Sequence, residues 1–359
     1  MSSPQTPHLP PNEPYYQQPA PGGQRRWGSV LLVAGLIWLI FELTRQSFFG
    51  GLSFITSEQD AADPPQIFSG ATALNVETTV DNVALYYSDE NAITVEARRR
   101  GFGWNSQSAR DALARVEVKM SREGDQVNVV IMRPSGLSFG RSPTVDLRIG
   151  VPSGVNLQVR TVSGDITLEQ VGGLGSVSTT SGAIEASATE GSLAFSSASG
   201  DIDIADHVGN PSLNSLSGNI ELSGEGVNGA KVESISGDLK LNAVAGVVWA
   251  KSISGMIEIV EGRDLTLDVE STSGDIELSG SLAPGQAQRV RSVSGDITLE
   301  LADPQGLRLE LTTLSGSLES DLELEQAVRE RRLLSGRLGA GDTDLLINTT
   351  SGNVSVGTE

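Results

Sequence analysis

The chain has 359 residues, no Cys, two His and a formal net charge of −20. The missing thiols exclude disulfides, cysteine nucleophiles and thiolate metal sites; His8 in a Pro-rich tail and His207 among Gly, Asn and Pro give no basis for a Ser-His-Asp triad or a multi-His metal centre. The negative charge argues against nucleic acid as a partner, and 4% aromatic residues beside 41 Gly supply too few rings for an ordinary globular core.

Residues 1–26 hold seven of the fifteen prolines and read as a disordered, partly polyproline II tail. The run WGSVLLVAGLIWLIF (Trp27–Phe41) follows Arg25-Arg26 and precedes Arg45. Its fifteen apolar residues cover about 22 Å; snorkelling by the flanking arginines and an interfacial Trp27 extend its reach, so residues 27–45 are predicted to be one transmembrane helix. A cleaved signal peptide is the rival, weakened by the long leading segment and the lack of a small-x-small cleavage site. Flanking charge places the tail in the cytoplasm and the C-terminal domain outside the cytoplasmic membrane. Residues 46–66, with Gly50, Gly51, Pro64 and Pro65, read as a linker.

Residues 67–155 alternate apolar and polar side chains, as in ALNVETTV, AITVEARR and TVDLRIGVP, and are predicted to form an N-terminal β cap with a short helical turn near 106–115. Within it, RRRGFGWN gathers Arg98, Arg99, Arg100, Phe102 and Trp104. These are expected on a hairpin loop and are the candidate binding residues, for a protein partner or anionic lipid.

From residue 156 to 359 a repeat dominates. Ser-Gly recurs at Gly164, Gly182, Gly200, Gly218, Gly237, Gly255, Gly274, Gly295, Gly316, Gly336 and Gly352, spaced by 16 to 21 residues. Two residues after each Gly the chain is always aliphatic, from Ile166 through Ile220 to Val354, and a second alternating strand precedes each Ser-Gly. The predicted fold is all-β: a parallel β-solenoid of about ten to eleven two-stranded coils, with each glycine at a turn that needs positive φ or close backbone approach. A β-sandwich of hairpins is the rival; like residues at like positions favour stacking. A hydroxyl stands three residues before ten of the eleven glycines, predicted as an internal ladder, and Asp or Asn follows many of them, predicted to cap the turn. The apolar residues two before Gly, such as Leu216, Ile235 and Ile253, are expected to turn inward at the corner, because long exposed apolar stripes are rare. ELEQAVRERRLL, between Gly316 and Gly336, departs from the pattern.

The stretch Val145–Val171 (VDLRIGVPSGVNLQVRTVSGDITLEQV), the SGDI and SGNI units after it, and Phe68–Tyr87 (FSGATALNVETTVDNVALYY) resemble the bacterial putative-adhesin domain family of unknown function, over about residues 67–359. The resemblance implies a β-solenoid exposed at the cell envelope, with no catalytic residues to carry over. The reading is a membrane-anchored, non-enzymatic protein for adhesion, scaffolding or protein interaction, without cofactor or metal, whose partners are the membrane and envelope proteins or cell-surface ligands. The alternative is an accessory sensor or regulator in an envelope stress response. A carboxylate-based polysaccharide enzyme is the third class, weakened by the scarcity of rings to stack on sugars.

Overall fold

Period-two alternation sends one side of every strand inward, and the Ser-Gly period lays each strand on its equivalent one coil away. The computed structural model describes residues 57–133 and 142–359, and its strands fall into two ladders. Sheet one contains the strands that follow Ser-Gly and sheet two those that precede it. In sheet one Ile166 lies beside Ile184, Ile202 beside Ile184 and Ile220, and the column continues through Leu239, Ile257, Ile276 and Ile297, every pairing parallel. In sheet two Val177, Phe195, Leu213, Val232, Ala250, Val269 and Val290 form the facing column, each fully buried. The core is a thin aliphatic seam between two ladders, which is why so few rings suffice. The predicted anchor at 27–45 and tail at 1–26 lie outside the described residues; among the described residues no helix is long and apolar enough to cross a membrane.

The Ser-Gly corner shows why glycine recurs. A Cβ on Gly200 would sit 1.8 Å from the carbonyl oxygen of Gly182, and one on Gly237 would sit 2.0 Å from that of Gly218. Stacked backbone, rather than a left-handed turn, excludes a side chain here. The hydroxyl three residues earlier is buried and accepts the glycine N–H: Ser197 Oγ from Gly200 at 2.8 Å, Ser215 Oγ from Gly218 at 2.8 Å. Toward the C-terminus the next coil takes over this task, with Gly274 N–H donating to the Ser294 carbonyl at 3.1 Å and Gly295 N–H to that of Ser351 at 3.1 Å.

The Asp or Asn after the glycine caps the coil beyond rather than its own turn. Asp201 Oδ1 accepts the Asn219 N–H at 2.8 Å, Asn219 Oδ1 that of Asp238 at 3.0 Å, and Asp238 Oδ1 that of Met256 at 2.9 Å. A second corner has positive φ at residues that give no glycine signal, including Gln170, Ala188, Asp206 and Ala243 (φ 55°). His207 sits in this region, fully buried; Thr189 Oγ1 lies 2.9 Å from its Nδ1 and the Gly191 carbonyl accepts from Nε2 at 3.2 Å. Burial holds its pKa below the usual imidazole value, outweighing the hydrogen bond to Gly191, so the ring is a neutral structural element.

Both ends depart from chain order. Ala73–Glu77 and Asn82–Tyr87, expected in a separate cap, form an internal coil: the first pairs in parallel with Gln126–Met132 on one side and Asn156–Arg160 on the other, the second with Thr144–Val151 and Ile166–Glu169. Buried Asp81 takes the glycine position there, and a Cβ on Gly164 would meet its carbonyl oxygen at 1.7 Å. The Asp81 carboxylate pairs with Arg133, accepts from Thr78 Oγ1, and accepts the Val145 N–H at 2.7 Å, locking this coil to the one outside it. At the other end the last coil, Thr343–Ser351 and Val354–Thr358, inserts between Ala287–Leu301 and Leu307–Ser320. The glycine column therefore runs Gly274, Gly295, Gly352, Gly316.

Gly336 is not a repeat turn. It lies within Leu333–Leu338, antiparallel to Leu307–Ser315 and opposite Leu309. Leu333 stands where each of the other ten repeat units has its hydroxyl, so the polar group that fills the inner corner is missing there. The segment of disturbed register instead covers the last edge: Glu325–Arg329 pairs antiparallel to Leu333–Leu338 with every residue exposed, a charged margin that discourages edge-to-edge association. Of the expected linker at 46–66, residues 46–56 lie outside the described residues, and the rest is corrected, since Ser57–Ala62 and Gln66–Ser69 pair antiparallel to Ala92–Gly103.

The two corners make opposite predictions. Gly237→Ala should destabilise by about 2 kcal/mol or more, because its Cβ has no room. Ala243→Gly should stabilise by up to about 1 kcal/mol, because it relieves a left-handed alanine at a smaller entropic cost. Denaturant midpoints of the two variants should move in opposite directions; movement in the same direction contradicts this account of the corners.

Candidate binding site at the N-terminal end

RRRGFGWN is a strand end and not a loop. Arg98–Gly103 belongs to the Ala92–Gly103 strand, whose neighbours are Thr144–Val151 on one side and Ser57–Ala62 on the other. A short helix, α1 (Ser106–Leu113), folds back over its end. The Asn105 side chain caps α1 by accepting the Ser108 N–H at 2.8 Å, while Ser108 Oγ accepts the Asn105 N–H at 3.1 Å. α1 buries Ala109 and Leu113, and Gly101 and Gly103 make room for it: a Cβ on Gly101 would lie 2.3 Å from the Ala109 carbonyl oxygen.

This packing sorts the five candidate residues. Phe102 is 8% exposed, so its ring is not a surface anchor. Trp104, just past the strand, is 59% exposed. Arg98 reaches Asp60 at 2.6 Å, Arg99 pairs with Asp63, and Arg100 reaches Asp146 at 2.6 Å. These pairs fasten the incoming chain and the neighbouring strand to the Ala92–Gly103 strand.

Alternation then separates the arginines. Arg98 and Arg100 border a cleft of about 740 Å³ on the outer surface of sheet one, while Arg99 faces the other side, toward Pro64, Val116 and Met120. Small residues, Ala84 and Thr167, lie at the cleft floor. The side that carries Arg98, Arg100 and Arg148, the last over the Tyr86 ring at 4.7 Å, also carries Glu96 and Asp146. Across the cleft lie Asp165 and Glu185, and Ala62, Asp63 and Pro65 also line it. The register runs Arg148, Ala84, Thr167, Glu185 across successive strands, about 14 Å from Arg148 to Glu185. The cleft thus faces a side of mixed charge toward an acidic one and can hold an extended polar ligand. Sequence reasoning missed Arg148 and Glu185 because they come together only through the out-of-order stacking of Asn82–Tyr87 between Thr144–Val151 and Ile166–Glu169. Among the described residues no group of His, Asp and Glu has the arrangement of a metal site.

A family model described as Toastrack DUF4097 matches residues 71–357. The chain belongs to the Toastrack DUF4097 family. Its match begins at the internal Ala73–Glu77 coil and ends in the last inserted coil, so the Toastrack unit is the whole stack rather than the Ser-Gly repeats alone. Similar solved structures include one described as a "putative cell adhesion protein" from Clostridium sporogenes ATCC 15579, 10% identical over 84% of this chain and 100% of that chain, with a TM-score of 0.20. Another is described as a "putative adhesin" from Bacteroides fragilis NCTC 9343, 11% identical over 85% of this chain and 100% of that chain, TM-score 0.32. A third, described as a "putative lipid binding protein" from Parabacteroides distasonis ATCC 8503, is 14% identical over 83% and 97%, TM-score 0.27. No curated protein matches the chain.

Phe102→Ser should destabilise the Toastrack fold by about 3 kcal/mol or more, as expected for emptying a buried ring site. Trp104→Ser should leave stability within about 0.5 kcal/mol. Thermal melts of the two variants check this; equal effects would contradict the split between core and surface.

Proposed function

We propose that this protein is a non-enzymatic, membrane-anchored interaction module that presents a rigid β-solenoid outside the cytoplasmic membrane, for adhesion or scaffolding at the cell envelope. The observation that carries the reading is that the groups with chemical potential serve the fold. The buried serines and threonines of the first coils hold glycine N–H groups, His207 is held by Thr189 and Gly191, and buried Asp81 is tied to Arg133. No serine on this ladder has a base poised against it among these contacts, and a nucleophile needs one. The cleft lined by Arg98 and Arg100 is the proposed partner site. A rigid scaffold with a recessed, charged surface suits recognition of a polar segment of an envelope protein or a cell-surface ligand.

The absence of Cys allows a direct test in intact cells. Thr167→Cys places a thiol at the cleft floor, and Ser355→Cys places one in the same outer column at the far end. Both full-length variants are treated with a membrane-impermeant maleimide carrying a photoreactive group. Labelling of both, with covalent adducts to another envelope component only from residue 167, is expected. Failure of either to label would place the body on the wrong side of the membrane, and equal adducts from both would remove the cleft as the partner site.

A further inference from the structure

The residues two before the repeat glycines do not turn inward. Leu216 is 41% exposed, Ile235 46%, Ile253 44% and Val293 52%. The reason lies one residue earlier: the buried hydroxyl fills the inner corner, so alternation continues through it and the next side chain faces out. Register makes these residues a single column on the outer surface of sheet two, running Leu216, Ile235, Ile253, Thr272, Val293, Thr350. The next outward column beside it runs Asn214, Glu233, Lys251, Glu270, Arg291, Asn348 in the same coils.

We propose that this face docks a second copy of the chain, upside down, about a two-fold axis that lies along the strands and passes between the coils of Lys251 and Glu270. The argument is self-complementarity. Inverting the polar column sets Lys251 against Glu270 of the copy, Glu233 against Arg291 and Asn214 against Asn348, so each charge meets its opposite and amide meets amide. The same inversion sets Ile253 against Thr272, Ile235 against Val293 and Leu216 against Thr350, so every pair in the apolar column contains at least one large aliphatic side chain. One register satisfies both columns at once. The coil of Asn348 and Thr350, inserted directly after that of Arg291 and Val293, supplies the outermost of these pairs.

Charge selects this face over the other. Sheet one carries Glu185, Asp203 and Glu221 in consecutive coils, and the chain as a whole carries −20, so most approaches of one copy to another are repulsive. The polar column of sheet two alternates in sign and is neutral over the four charged coils. Within one chain Lys251 reaches Glu270 at 3.5 Å and Arg291 reaches Glu270 at 3.4 Å, so these side chains already lie along the surface that the copy would meet. Lys231 and Arg289, one column further out, meet as like charges at the rim of this arrangement, which limits the affinity. The site is independent of the cleft on sheet one and does not rest on what that cleft binds.

The test uses the full-length protein in density-matched detergent, followed by sedimentation equilibrium. A monomer–dimer equilibrium is expected, and the exposed-site variants Ile235→Lys and Ile253→Lys should each raise the dimer dissociation constant at least tenfold with unchanged melting. Lys251→Glu alone and Glu270→Lys alone should each weaken self-association, because each sets like charges opposite one another. Mixing these two variants should restore the dimer, since the introduced carboxylate of one then faces the introduced ammonium of the other and the unmutated pair also matches. A monomer at all accessible concentrations, an assembly larger than a dimer, a dimer indifferent to the Ile235 and Ile253 changes, or a mixture no tighter than the single variants would overturn the proposal.

Discussion

The fold depends on one contact, the backbone of each Ser-Gly corner lying directly on the corner of the coil before it. A Cβ at these glycines would fall within about 2 Å of the neighbouring carbonyl oxygen, as at Gly182 (2.0 Å) and Gly218 (2.1 Å). From that approach the rest follows. Strands on either side of the corner must pair in parallel and in register, which stacks isoleucine on isoleucine and closes a seam of aliphatic side chains. The corner hydroxyl and the carboxylate or amide after the glycine are placed to satisfy N–H groups that the tight stack would otherwise bury without partners.

The same contact explains how the ends are built. A solenoid in strict chain order would end in a bare coil at each terminus and expose a ladder edge. Here the chain overshoots and returns. Thr343–Thr358 slides between two coils made earlier, at the other end the later strands Gln126–Met132 and Thr144–Val151 return to stack outside Ala73–Tyr87, and the antiparallel strands Leu333–Leu338 and Ala92–Gly103 close over the outermost coils. The last coil thereby joins segments distant in sequence, so the C-terminal end forms only after the whole chain is present, a non-local closure that slows folding but ties the stack together.

Much of the rod was legible because its signals are local and repeated: the Gly-x-aliphatic spacing, the hydroxyl at minus three and the period-two alternation. What was not legible depends on neighbours brought from elsewhere in the chain. Gly336 has the right dipeptide but lacks the hydroxyl three residues earlier that the other ten repeat units have, and reading these two positions together rejects it. Asp81 serves a corner without Ser-Gly, so its coil reads as cap. Phe102 looks exposed because its arginine neighbours are polar, yet its ring is buried, while Gly101 and Gly103 beside it mark where α1 packs on the opposite face of the strand. The general rarity of apolar stripes points Leu216, Ile235 and Ile253 inward; the alternation itself gives the right answer. In the cleft, Arg98 and Arg100 are visible as a motif, whereas Arg148 and Glu185 join them only through strand order.

The two sheets leave the rod with two unlike surfaces, one acidic and ending in a charged cleft, the other alternating in charge beside an apolar column. Both surfaces are set by which coil lies beside which, so coil order is the claim to test. Paired cysteines can report it, because the chain has none of its own and strands paired in a parallel ladder lie within disulfide reach, whereas strands two coils apart, about 9.6 Å, do not. Ser294→Cys with Ser351→Cys should oxidise readily to an intramolecular disulfide, and Ser294→Cys with Ser315→Cys should not. The reverse result, a bridge between 294 and 315 and none between 294 and 351, would show coils stacked in chain order and contradict the account.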